Sequence, residues 1–328
     1  MTSVNLTVNE TELTMTNRTA TTTTDAYQSD RNTTAVLLSV FVIVGVHIAA
    51  SMSVYQRRVT RLNRDFNVAA AADRTTQRFR RENTISILLL LSSALSISRY
   101  AVEAAELHYG HDEHPAGDLC TALCRSKAVL WLAARTCIYI VMWLRQRNFN
   151  HNLSVQGVAN KALDRLGTFV LCLLLAAFAA CTALLVAMRE YRASPRGCVM
   201  VSAAIAGINL NLVTFLSLFL YTIIVQLLLL TLLVFPLLQH RRSIARMDAN
   251  QRLHMKFLRR LTVCTFVAIG WNGFLGGVSL LALNASFTLY QQCMYDLDNL
   301  VLLLCVVTSF SDWRDRVLPC CVITLDED

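Results

Sequence analysis

Seven long apolar runs constrain this chain more than any other feature. They cover Ala35 to Tyr55, Ile85 to Ala105, Ala128 to Leu144, Leu166 to Met188, Val199 to Leu238, Leu261 to Leu283 and Met294 to Phe310. A helix needs about 20 apolar residues to cross the ~30 Å hydrocarbon layer, where lipid offers no partner to an exposed backbone N–H or C=O. With 55% hydrophobic and only 16% charged residues, the chain has too little polar surface to enclose these runs as soluble domains. The expected fold is an all-α membrane protein, a seven-transmembrane helix bundle over residues 35–310. The fifth run exceeds one span, so it is either one helix with an apolar approach segment or two helices joined near Asn209 and Asn211.

Charge and glycan acceptors decide between these readings. Basic residues near helix ends stay on the cytoplasmic side, where they are not translocated. With a single fifth span, 21 of the 30 Lys and Arg residues fall on one face, in Gln56 to Asn83, Arg145 to Arg165, Gln239 to Arg260 and the tail. Asn5, Asn9, Asn17 and Asn32 lie in Asn-x-Ser/Thr acceptors before the first run, and Asn284 lies in another after the sixth, all on the opposite face. Splitting the fifth run would put Asn284 inside and the Gln239 to Arg260 basic loop outside, against both signals. The N-terminus is therefore expected outside, as a glycosylated disordered arm over residues 1–34. It carries no apolar region of signal-peptide type, so the first span is expected to direct membrane insertion. The route implied is secretory, and the destination a multi-pass position in the plasma membrane.

Cys120, Cys124, Cys198 and Cys293 fall in or beside the outer loops, an oxidising setting, and four cysteines allow three pairings. A bridge from the start of the third helix to the loop before the fifth would pin that loop across the outer mouth, which favours Cys120 or Cys124 with Cys198. Residues 311–328 read as a membrane-parallel amphipathic helix with a short cytoplasmic tail, in which Cys320 and Cys321 are palmitoylation candidates.

Seven helices, an outer N-terminus with sequons, a cysteine pair joining the third helix to the second outer loop, and a short inner helix ending in cysteines together resemble a divergent rhodopsin-like G-protein-coupled receptor. Arg145 stands 25 residues after Cys120 in Trp143-Leu-Arg-Gln-Arg147, the position at which the family carries Asp-Arg-Tyr. The seventh run has Leu304-Cys-Val-Val-Thr-Ser-Phe310 in place of Asn-Pro-x-x-Tyr, and the sixth has Gly270-Trp-Asn-Gly273 in place of Cys-Trp-x-Pro. The resemblance implies an extracellular ligand, transmission to a cytoplasmic transducer such as a heterotrimeric G protein, and a transducer face that includes Arg145, Arg147, Arg259 and Arg260.

Ionisable groups at membrane depth are functional candidates, because burying them in lipid is costly. Arg135 lies ten residues before Arg145, about 15 Å along the axis, near the bilayer middle. Asp298 is at comparable depth in the seventh run, with Asp296 above it, so an Arg135 to Asp298 ion pair is feasible. Such a pair holds a resting arrangement or serves as a fixed structural bond. Arg99 and Glu103, four residues apart, read as a local helical pair. Asn209, Asn211, Trp271, Asn272 and Asn299 complete the pocket candidates, with interhelical packing as the other role for the amides. Gly270, Gly273, Gly276 and Gly277 are expected to let a neighbouring helix approach closely.

Other functions fit less well. A retinal Schiff base needs a seventh-helix Lys, but the lysines are Lys127, Lys161 and Lys256. A membrane zinc hydrolase needs several intramembrane ligands, but His47 is the one histidine well inside a span, and His108, His111 and His114 read as a solvated loop. No enzymatic activity, cofactor, metal or nucleic-acid partner is expected. A multi-pass transporter or channel using Arg135 and Asp298 in its path is the alternative. Against it, the halves show no inverted repeat.

Overall fold

A computed structural model describes residues 32–57, 60, 73–109, 117–155, 161–188, 191–194, 197–200, 204–205, 208–240, 249–282 and 288–310. Seven helices carry most of them: α1 (Asn32–Arg57), α2 (Asp73–Tyr109), α3 (Gly117–Val155), α4 (Lys161–Met188), α5 (Leu210–His240), α6 (Ala249–Ala282) and α7 (Thr288–Thr308). By length and composition, α1 and the segments Asn83–Glu106, Leu119–Asn148 and Asp164–Ala187 suffice to cross a membrane. The apolar centres of α5 and α6 are shorter, Leu216–Leu232 and Thr262–Val278.

The fifth apolar run is one helix with an apolar approach segment, the first of the two readings. Its first part contributes to two antiparallel hairpins, β1 (Tyr191–Ser194) with β2 (Gly197–Met200), and β3 (Ala204–Ile205) with β4 (Ile208–Asn209). α5 then runs unbroken from Leu210. The break follows composition. β-Branched Val199, Ile205 and Ile208 suit extended backbone, whereas the Leu-rich stretch after Leu210 loses little rotamer freedom in a helix. The described fold is thus helical in class, with two short β-hairpins before α5.

α3 is the axis of the bundle and packs on α2, α4, α5 and α7. Its Leu132, Ile138, Tyr139 and Val141 are almost wholly buried, against Leu89 of α2, Leu174 of α4, Leu229 of α5 and Val307 of α7. Outward-facing Val36, Ile43, Phe169, Leu220 and Phe266 stay exposed, the pattern of helices that turn apolar side chains toward lipid.

Polar side chains inside the bundle tie helices together. Trp143 Nε1 donates to the Gly167 carbonyl of α4 at 2.7 Å, Gln146 Nε2 to the Leu232 carbonyl of α5 at 3.0 Å, and Ser92 Oγ of α2 to the Ala134 carbonyl at 3.0 Å. Ser93 and Ser96 instead return their hydroxyls to carbonyls four residues back on α2, which satisfies them where water is absent. α1 joins through Leu38 and Phe41, which pack on Tyr100 of α2 beside Leu297 and Leu300 of α7.

Among the four glycines of α6, only Gly276 marks a close approach. A methyl group there would overlap the Phe219 ring of α5, whereas Gly270, Gly273 and Gly277 face open space. The expectation for those three is corrected accordingly.

Candidate functional site

The polar centre of the molecule is built on one face of α3. Cys120, Cys124, Lys127, Trp131 and Arg135 follow one another at intervals of four, three, four and four residues, so their side chains stack along a single stripe. The stripe starts at the hairpin cap and ends at Arg135, about 22 Å farther along the axis at 1.5 Å per residue.

Arg135 is 1% exposed, and each of its three nitrogens meets a side-chain oxygen. Its Nη1 pairs with Asp298 Oδ2 of α7, and its Nη2 donates to Asn272 Oδ1 of α6. Its Nε donates to the Tyr139 hydroxyl at 2.8 Å, while the guanidinium lies 5.2 Å from the Trp131 ring centroid and 5.6 Å from that of Tyr139. A planar guanidinium with five donors suits such a three-helix junction in a way that a lysine does not. Asn272 is oriented in turn by donating to the Ala268 carbonyl at 3.0 Å.

Two further buried ion pairs sit above this one. Arg99 Nε of α2 lies 2.7 Å from Asp296 Oδ1 of α7, and Lys127 of α3 pairs with Glu106 of α2. The three pairs join α2, α3 and α7 into a triangle. Arg99 thus reaches an interhelical partner that its four-residue spacing from Glu103 does not reveal. Lys127 is an interior residue of α3, 5% exposed. Removing one member of such a pair strands a buried charge and costs about 3–5 kcal/mol, far more than the pair itself contributes relative to apolar residues of equal size.

Beside the stripe lies a cavity of about 140 Å³. Arg135, Asp298 and Asn272 line it at one end; Cys124 of α3 and Tyr191 of β1 line it toward the hairpin cap. Trp131, Phe219, Leu275 and Tyr295 supply apolar and aromatic wall, and Arg99 and Lys127 add charge. A cavity of ~150 Å³ accommodates a benzene-sized molecule, so this space admits a small ligand or the anchoring group of a larger one. Trp131 is held in place by donating from Nε1 to the Tyr295 carbonyl at 3.3 Å, with the two rings edge to face at 5.4 Å.

The structure distributes the other candidates as follows. Asn299 is buried and donates to the Trp131 carbonyl at 3.4 Å, so it packs α7 on α3 instead of lining the cavity. Asp296 faces Arg99, also off the cavity wall. Trp271 packs on Phe274, with ring centroids 5.8 Å apart, and does not line it. The side chains of Asn209 and Asn211 lie outside the described residues, as do Asn5, Asn9, Asn17, Asn284, His111, His114, Cys320, Cys321 and the whole membrane-parallel segment; Asn32 opens α1 with an exposed side chain.

Cys120 is bonded to Cys198 of β2, which fastens the first hairpin to α3, and Thr121 Oγ1 adds a hydrogen bond to the Tyr191 carbonyl at 3.0 Å. Cys124 is a free, buried thiol, and the Cys293 side chain lies outside the described residues.

The far end of α3 holds a second arginine in an unexpected role. Arg145 is 6% exposed rather than presented at a surface. It donates to the carbonyls of Val306 and Ser309 at 3.2 and 3.3 Å and to Ser309 Oγ, and its guanidinium sits 3.8 Å over the Phe310 ring. Arg145 therefore caps the orphan carbonyls at the end of α7, where a helix terminus favours a cation. Arg147, stacked 5.3 Å from the Trp143 centroid, and Arg259 and Arg260 remain exposed.

Sequence reasoning overlooked Lys127, Trp131, Phe219 and Tyr295. The stripe spacing carried the signal for the first two; no local pattern points to the others. A scan against protein-family models finds none that matches this chain, and a search of curated proteins returns no significant relative.

Proposed function

We propose that this chain is a seven-span plasma-membrane receptor of divergent rhodopsin-like type, with its glycosylated N-terminus outside and its Arg-rich loops toward a cytoplasmic transducer. The supporting observation is the position of Arg135. A ligand in the cavity meets Arg135 of α3, Asn272 of α6 and Asp298 of α7 together, so it bears on three helices at once. A ligand shifts an equilibrium only as far as it binds two arrangements differently, and a bond that one arrangement makes and the other breaks supplies that difference. Arg145 holds the same two helices, α3 and α7, at their other end, so a change at Arg135 has a mechanical partner near the proposed transducer face.

Transport along the ion pairs is the second reading, favoured by three buried pairs among α2, α3 and α7. Beyond Arg135, however, Tyr139, Val141, Leu302, Leu303 and Val307 fill the interior at 0–3% exposure. A cavity closed on that side suits a receptor. The receptor reading predicts that co-expression with a panel of G proteins gives ligand-independent coupling to at least one of them. It also predicts that the double variant Arg135→Met/Asp298→Leu alters that coupling at equal surface expression. Silence across the whole panel from surface-expressed wild type would favour transport.

A further inference from the structure

The sulfur atoms of Cys120, Cys124 and Cys198 all lie within 4.8 Å of one another. Two of them form the bridge that fastens β2 to α3, and the third is a free thiol one helical turn farther along the same face. A thiol this close to a disulfide is placed for exchange, since disulfides rearrange when a thiolate attacks one sulfur and expels the other. The neighbourhood also contains a proton acceptor. Cys124 Sγ donates to Glu106 Oε1 at 3.5 Å, and the other oxygen of that carboxylate is paired with Lys127.

We propose that the hairpin tether is a two-position latch in which Cys124 replaces Cys120 as the partner of Cys198. The Cys124 thiol proton passes to Glu106, the sulfur attacks Cys198 Sγ, the Cys120–Cys198 bond breaks, and the expelled Cys120 thiolate takes up a proton. One S–S bond forms as one breaks, and no oxidant or reductant is consumed. The attachment point shifts four residues along α3 toward Arg135, and because the Cys124 and Cys198 sulfurs already lie within 4.8 Å, closing to an S–S bond of about 2.05 Å draws the hairpin in by less than about 3 Å. β1, paired with β2 and carrying Tyr191 on the cavity wall, is drawn with it, so the second position narrows the cavity at its hairpin end. The rearrangement depends only on the sulfur geometry and stands apart from the receptor reading.

Linkage mapping on the wild-type chain tests this directly. Detergent-solubilised protein is equilibrated with a trace of reduced glutathione, quenched in denaturant with N-ethylmaleimide at mildly acidic pH, and digested without reduction. Fragment ions then locate the label on Cys120 or Cys124 in the peptide joined to Cys198. Two linkage isomers are expected, with the Cys124–Cys198 isomer lost in Cys124→Ser; a single Cys120–Cys198 linkage in wild type would overturn the proposal. Cys120→Ser is expected to keep Cys198 bridged, taking up two fewer labels than an unbridged chain would. Free Cys124 and Cys198 in that variant would overturn it as well.

Discussion

Deleting the Arg135 side chain leaves Asp298 as a buried carboxylate without its cation, so Arg135→Ala is expected to destabilise the protein by about 3–5 kcal/mol. The loss should be read as a lower Tm in detergent and reduced surface expression. A variant matching wild type in Tm, expression and basal signalling would contradict the role of the pair. Arg135→Met/Asp298→Leu should recover most of the stability, because apolar replacements of similar volume leave no charge stranded. At the other end of α3, Arg145→Ala uncovers the last carbonyls of α7. A charge-assisted hydrogen bond is worth about 1.5–3 kcal/mol, so a Tm loss is expected that Arg145→Lys only partly repairs, lacking the planar fork that reaches both carbonyls. At this scale the sequence was legible where an ionisable residue stood deep inside an apolar run, as Arg135 and Asp298 do. It misled where a charge stood near a run's edge: Lys127 resembled a loop residue, and Arg145 a surface one. Which partner a buried charge finds depends on helix rotation, which local spacing does not encode, and Arg99 with Asp296 is the example.

Among the elements, the segment between α4 and α5 contributes most beyond the helices. The β1–β2 hairpin depends on one covalent link across a sequence separation of 78 residues. Closing a loop of that length restricts the unfolded chain by about 4.5 kcal/mol in the chain-entropy view, so Cys198→Ser should cost roughly that much. The check is thermal unfolding of purified protein, where an unchanged Tm would speak against a stabilising tether. Hydropathy alone could not separate hairpin from helix in Val199 to Leu238, because both bury apolar side chains. The contrast between β-branched residues before Leu210 and the Leu-rich stretch after it was present in the sequence, but only as a weak preference. The remaining helices were legible because a membrane-length apolar run has few other ways to satisfy its backbone. Their ends were not, since α2 and α3 continue well past their apolar cores.

At the level of the whole molecule, the proposal rests on which face each loop occupies. Asn284 and the N-terminal sequons should carry glycans, so enzymatic deglycosylation should lower the apparent mass, with Asn284→Gln removing part of that shift. Absence of any shift would contradict an outer N-terminus. The cavity beside the disulfide-linked hairpin then opens on the same side, and the basic segments lie opposite. The most direct measurement is an epitope tag inserted between α5 and α6, within residues 241–248, with antibody binding compared in intact and permeabilised cells. The account predicts binding only after permeabilisation. Staining of intact cells would place that basic segment outside and contradict the seven-span receptor.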